Sequence, residues 1–192
     1  SFERAGASAL QMEDQVFPKR CGHMAGKAVI SCAEMVGKIK AALDARHHSD
    51  TLIIARTDAI AVNGFEDALE RGHQYIEAGC DVLFIEAPNS IEQMKVIGQQ
   101  FGDQVPLVHN FAEGGGSPIE AANELQGLGY KIALFPVALV HLFVHQAPQL
   151  LAHILEKGST LAWHEEMADL EGINQVLGTQ ERLKKVENYH RD

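Results

Sequence analysis

Residues 52–88, LIIARTDAIAVNGFEDALERGHQYIEAGCDVLFIEAP, decide the fold. Apolar runs at 52–57 and 82–86 bracket a stretch at 65–78 whose apolar residues recur at helical spacing, and Gly79 follows where a helix C-cap is needed. Both runs are apolar almost throughout. Strands buried on both faces read this way, and such strands belong to parallel sheets covered by helices. The unit therefore predicts strand, helix, parallel strand.

The same alternation extends in both directions, with apolar runs at 7–12, 107–111 and 132–137 and helical periodicity at 33–45, 91–100 and 118–128, the last followed by Gly129. About four and a half strand–helix repeats result. A long amphipathic helix is expected over 137–155, and after Gly158 the chain is charged and helical to its end. The expected division is a barrel portion at 1–157, carrying a loop at 15–27, and a helical extension at 158–192.

Glu13, Arg56, Glu86 and Asn110 each close an apolar run. In a parallel barrel they converge on the C-terminal rim of the strands, where such proteins place their sites. Any one of them reads equally well as a polar strand end meeting solvent; four at one register position point to a site. The stretch at 12–23, MEDQVFPKRCGH, adds two carboxylates and then a cysteine among cations. Lys19, Arg20 and His23 are expected to lower the pKa of Cys21 and make its proton available near neutrality, as a general acid or a nucleophile requires. The other reading is a solvated basic loop around an inert thiol.

Composition narrows the function. With 192 residues, 46% of them hydrophobic, the chain can bury a sizeable core. A net charge of −10 argues against nucleic acid, while a local cationic pocket for a small anion remains open. Cys21, Cys32 and Cys80 form no CxxC pair, so a reduced, cytoplasmic setting is the simpler expectation. The opening SFERAGASAL lacks a signal-peptide pattern, and no apolar run is read as approaching the roughly 18 residues of a membrane span. It looks like the last turn of an uncapped helix, which suggests a start partway through a domain.

Two further features stay open. His141, His145 and Gln149 recur every four residues, but without a third ligand a histidine stripe at a helix or subunit contact outweighs a metal site, and no zinc is assigned. The GGGSP run at 114–118 either offers amides to an anion or is a flexible loop; it is neither a Walker motif nor a dinucleotide fingerprint.

The segments EDQ at 13–15, KRCGH at 19–23, ARTDA at 55–59, FIEAP at 84–88 and HNFAEGG at 109–115 together resemble the isocitrate lyase and phosphoenolpyruvate mutase superfamily, most closely its 2-methylisocitrate lyase branch. The resemblance implies an α/β fold, a (β/α)8 TIM-type barrel of which this chain supplies roughly strands four to eight plus C-terminal helices. It implies Mg²⁺- or Mn²⁺-dependent cleavage of a carbon–carbon bond in a 2-hydroxy di- or tricarboxylate, giving a 2-oxo acid and a carboxylate-stabilised carbanion. In that scheme Cys21 protonates the carbanion, His23 orients or charges the same end, and Arg56 clamps the 2-oxo-acid oxygens. Lys19, Arg20, Gly22, Glu86 and Asn110 bind the substrate, with a proton or a bridging cation such as Arg20 to relieve repulsion at Glu86. Glu13 reaches the metal through water. A swapped C-terminal helix and a homotetramer are implied as well.

The family's direct metal ligands are aspartates on earlier strands, which these residues do not contain. A full barrel needs roughly 250 residues and eight strands. About three strands are expected to lie elsewhere. The loop cysteine favours a lyase over the phosphonate mutases, and Pro136 stands where oxaloacetate-hydrolysing relatives carry Ser. The alternatives are a carboxyvinyl-carboxyphosphonate phosphorylmutase or oxaloacetate decarboxylase of the same superfamily, and a non-catalytic assembly fragment.

Overall fold

The computed structural model describes residues 1–21, 26–112, 114, 117–119 and 121–189. Strands and helices alternate as β1 (Ala9–Glu13), α1 (Cys32–Ala45), β2 (Leu52–Thr57), α2 (Ile60–Asn63), α3 (Phe65–Glu77), β3 (Val82–Ile85), α4 (Ile91–Phe101), β4 (Val108–Asn110), α5 (Ala122–Gly127), β5 (Ile132–Leu134) and α6 (Ala138–Lys157). Two short helices, α7 (Leu170–Val176) and α8 (Thr179–Asn188), follow. The first residues form a 3-10 turn, Glu3–Ala5, closed by Gly6 at φ 92°.

Among the described residues β1 to β5 pair in parallel, in the order β1-β2-β3 and β4-β5. A bridge between Leu83 and Leu107 carries the order from β3 to β4. The strands thus follow one another in space as they do in sequence, each crossed by a helix, which is the connectivity of a singly wound parallel barrel.

Local chemistry explains most boundaries. Ser31 and Ser90 cap α1 and α4 by accepting from Glu34 N and Gln93 N. Gly79 takes φ 99° after α3, the left-handed conformation that ends a helix without a Cβ penalty. β5 is shorter than the run at 132–137 because Pro136 has no N–H to continue a ladder. The helix expected over 118–128 begins only at Ala122, without a side-chain cap.

The helix-facing side of the sheet packs Ala55, Leu83, Ile85 and Leu107 against Met35 and Ile39 of α1, Tyr75 of α3, and Met94, Ile97 and Phe101 of α4. On the opposite face Val82, Phe84 and Val108 pack with Ile54 and Ile132. Gly98 permits the close approach of α4 to the turn after α5, since a Cβ there would run into the Leu128 carbonyl oxygen.

The chain divides into two compact units, Ser1–Ala138 and Leu139–Asp192, so that α6 falls with the C-terminal residues rather than with the strand–helix repeats. In α6, α7 and α8 no described residue is buried. Pro148 interrupts the hydrogen-bond ladder of α6, and Gln149 Nε2 donates to the His145 carbonyl at 2.9 Å, one turn back. The expectation that no segment reaches membrane-spanning length is corrected here: α6 is long and apolar enough by length and composition alone. Its apolar residues continue around the helix, and His141, His145 and His153 interrupt them without shortening it.

Candidate active site

Arg56 sits at the end of β2, only 9% exposed, and its guanidinium is ringed by carboxylates. Nε donates to Asp58 Oδ2 at 2.9 Å and Nη2 to Asp58 Oδ1 at 3.2 Å. Nη2 also lies 3.3 Å from Glu86 Oε1, and Nε 3.6 Å from Glu13 Oε2. The plane rests over the Phe84 ring, with Cζ 4.9 Å from its centroid. Burial by itself opposes the charge, but the hydrogen bonds donated to Asp58 and the charges of Glu86, Asp58 and Glu13 hold the Arg56 pKa above its ordinary value. Burial likewise opposes ionisation of Asp58, and Arg56 and Lys27 outweigh it, so the Asp58 pKa is lowered.

The strand register corrects the expectation of four residues at one level. Glu13 pairs with Arg56, and Arg56 with Phe84, in one row. Continuing the Leu83–Leu107 bridge places Glu86 beside Asn110, two residues further along and on the same face. The long Arg56 side chain spans both rows. Asn110 Nδ2 donates to Glu86 Oε2 at 3.2 Å, and Arg56 places a cation on the other oxygen of the same carboxylate. Ala87, just beyond Glu86, adopts φ 55°, a left-handed conformation that costs a non-glycine residue roughly 1 kcal/mol.

The loop leaves this face as a hairpin. Val16 N donates to Ala28 O, Ile30 N to Asp14 O, and Gln15 bridges Val29. The Gln15 side chain bonds the Arg20 backbone in both directions, at 2.9 Å each. Lys19 Nζ reaches Glu13 Oε1 at 3.2 Å from an exposed position, and Cys21 is exposed. Gly22 and His23 lie outside the described residues. The structure thus brings Glu13, Lys19, Arg56, Glu86 and Asn110 together.

Sequence reasoning missed the second tier. Asp14, fully buried, accepts from Asp58 N at 2.9 Å, Arg71 Nη1 at 3.0 Å and Tyr75 OH at 2.8 Å. Burial first, and then the Asp14 charge, pushes the Tyr75 hydroxyl well above its usual range, so it stays a donor. Lys27 Nζ contacts Asp58 Oδ1 at 3.3 Å with both side chains almost wholly buried. One signal was legible: Asp58 stands two residues after Arg56, on the same side of an extended chain.

A divalent cation fits these residues at one point. Among the described residues the buried Glu13 Oε1 accepts no hydrogen bond, although Lys19 Nζ lies 3.2 Å from it, and this leaves it able to accept from a metal-bound water. Among the described residues no group of three side chains could hold the ion directly.

The family described as phosphoenolpyruvate phosphomutase matches residues 1–155. The chain is 40% identical over 187 residues to 2,3-dimethylmalate lyase of Eubacterium barkeri, covering 97% of this chain and 64% of that one. It is 46% identical over 158 residues to 2-methylisocitrate lyase of Aeropyrum pernix, covering 82% and 50%. A crystal structure of 2,3-dimethylmalate lyase superposes with a TM-score of 0.86 at 33% identity, over 95% of this chain and 60% of that one. The five parallel strands are accordingly part of a TIM-type barrel, and the chain spans 50–64% of the length of these two curated relatives.

Proposed function

Since this chain belongs to the phosphoenolpyruvate mutase and isocitrate lyase superfamily, we propose that the protein is a carbon–carbon lyase acting on a 2-hydroxy di- or tricarboxylate of the 2-methylisocitrate or 2,3-dimethylmalate kind. The observation that carries this reading is the buried Arg56 fork on one sheet face with Glu13, Glu86 and Asn110 around it. Arg56 has a planar pair of donors fixed by Asp58 and by the Phe84 ring, suited to the two oxygens of a 2-oxo acid. Its preorganised charge stabilises the anion formed as the bond breaks.

Asn110 and Glu86 bind the second carboxylate half, with Arg56 offsetting the Glu86 charge. Cys21 on the hairpin, with His23 beside it in sequence, gives its thiol proton to the carbanion; Lys19, Arg20 and Gly22 contact the substrate from the same loop. Glu13 Oε1 would hold Mg²⁺ or Mn²⁺ through a water, and the ion would supply positive charge to the hydroxy-carboxylate end. A reducing cytoplasm suits the free Cys21, Cys32 and Cys80. A homo-oligomer, a tetramer by family resemblance, suits the exposed apolar residues of α6, among them Leu139, Phe143 and Leu155.

The deciding experiment is a product assay on the full-length protein with Mg²⁺, scanning 2-methylisocitrate, isocitrate, 2,3-dimethylmalate and oxaloacetate, with a Cys21→Ser control. Cleavage that falls by about 10²–10⁴-fold in the control is expected of a positioned general acid. Turnover indifferent to Cys21, or decarboxylation alone, assigns the protein to the mutase or decarboxylase branch. No turnover of any of them favours an assembly role.

A further inference from the structure

Lys27 is a buried cation that the proposed chemistry does not use. Its side chain is 3% exposed, and burying an ammonium is costly unless a partner compensates. Lys27 lies on the returning arm of the 14–30 hairpin, next to Ala28, whose carbonyl accepts from Val16 N at 2.8 Å. One partner, Asp58, is the carboxylate that fixes Arg56, and the two cations meet on one atom: Asp58 Oδ1 lies 3.3 Å from Lys27 Nζ and 3.2 Å from Arg56 Nη2. Arg56 Nη2 is in turn divided between Asp58 Oδ1 and Glu86 Oε1, the latter at 3.3 Å.

We propose that Asp58 is a positioning residue that couples the root of the 14–30 hairpin to the orientation of Arg56, with Lys27 as the hairpin's contact on it. While Lys27 shares Oδ1, part of that oxygen's charge is neutralised and Nη2 stays turned toward Glu86. Without Lys27, Oδ1 draws Nη2 to itself and the fork rotates off the Glu86 side. The coupling is confined because the Asp58 backbone cannot follow: its N–H is held by buried Asp14 at 2.9 Å. Asp14 also begins the hairpin, through the bond from Ile30 N to its carbonyl at 2.8 Å. The carboxylate is therefore the movable part between two fixed supports.

The importance of Arg56 to turnover rests on the lyase reading, so the test has one arm that needs no turnover. In the full-length protein the Arg56 Nε–H resonance, assigned by its loss in Arg56→Lys, is compared among wild type, Lys27→Met and Lys27→Arg. Lys27→Met is expected to shift that resonance and speed its exchange with solvent, and Lys27→Arg to restore both. In the second arm Lys27→Met lowers kcat/KM by about 10–100-fold, the scale of groups that orient a ligand-binding side chain. Added to Asp58→Asn it lowers kcat/KM by less than twofold further, because both act through one carboxylate. An unchanged Arg56 resonance in Lys27→Met overturns the proposal, as do losses that multiply in the double variant. If Asp58→Asn does not fold, the resonance arm decides alone; it also separates a failed coupling from a failed lyase reading.

Discussion

Residues Ser1–Ala138 and Leu139–Asp192 solve the problem of apolar surface in opposite ways. In the first unit helices and strands bury Met35, Ile39, Phe84, Ile97 and Phe101 almost completely and enclose a tier of paired charges. In the second, α6 leaves Leu139 81% and Leu155 88% exposed, and α7 and α8 bury nothing among the described residues. The difference teaches that a residue's hydrophobicity states what it needs and not where the need is met. The first unit buries most of its strand and helix faces against one another, while α6 leaves Leu139, Phe143 and Leu155 exposed.

The contrast can be broken most forcefully at Asp14. Asp14→Ala leaves Arg71 with only the half-exposed Asp67 as carboxylate and removes the buried acceptor of Tyr75 OH and Asp58 N, and a loss of about 3–5 kcal/mol is expected in urea unfolding of the full-length protein. A loss below 1 kcal/mol would mean that the buried tier is ornamental. Tyr75→Phe removes one charge-accepting hydrogen bond of 2.8 Å while Arg71 keeps Asp14 paired, so about 2 kcal/mol is the expected cost in the same measurement.

Leu155→Gln sharpens the other side. At an exposed position it should change the unfolding free energy of the first unit by less than about 0.5 kcal/mol. Sedimentation should at the same time show a shift toward smaller species, if the α6 surface is the subunit contact proposed above. An unfolding loss comparable to that of Tyr75→Phe would erase the distinction between the units.

The smallest effect is expected at Glu3, whose carboxylate accepts from His47 N, His48 N and Thr51 Oγ1. Those backbone hydrogen bonds, His47 first, lower its pKa to about 2. A depressed carboxylate contributes stability that is fully present above its unfolded pKa and is lost as pH falls through the folded one. Wild type and Glu3→Gln should therefore differ in melting temperature at pH 6 and converge as pH drops toward 2. Curves that stay parallel across that window would remove Glu3 from the first unit's account.

Much of the site was legible because strand ends are marked locally: Glu13, Arg56, Glu86 and Asn110 each follow an apolar run. The period-2 rule puts residues two apart on one face, so Asp58 was within reach of the same reading. Arg71 and Tyr75 offered a weaker signal, as polar groups on the buried stripe of α3 beside Ala68, Leu69 and Gly72. Nothing local says that their partner is Asp14, which lies 57 and 61 residues away in sequence. At α6 an unbroken apolar run and the average composition of the helix part company, since His141, His145 and His153 break the run without shortening the helix.

The sequence by itself determined the alternation of strands and helices, the caps at Ser31, Ser90 and Gly79, and the polar ends of the strands. These follow from backbone geometry and side-chain periodicity, which act over a few residues. Only the tertiary structure decided that Glu86 stands one row beyond Arg56, that Arg56 reaches across to it, and that Lys27 and Arg56 share Asp58. Register between strands and the choice of a charge's partner depend on distances across the fold, and burial of those charges requires that each pairing be met at hydrogen-bonding range.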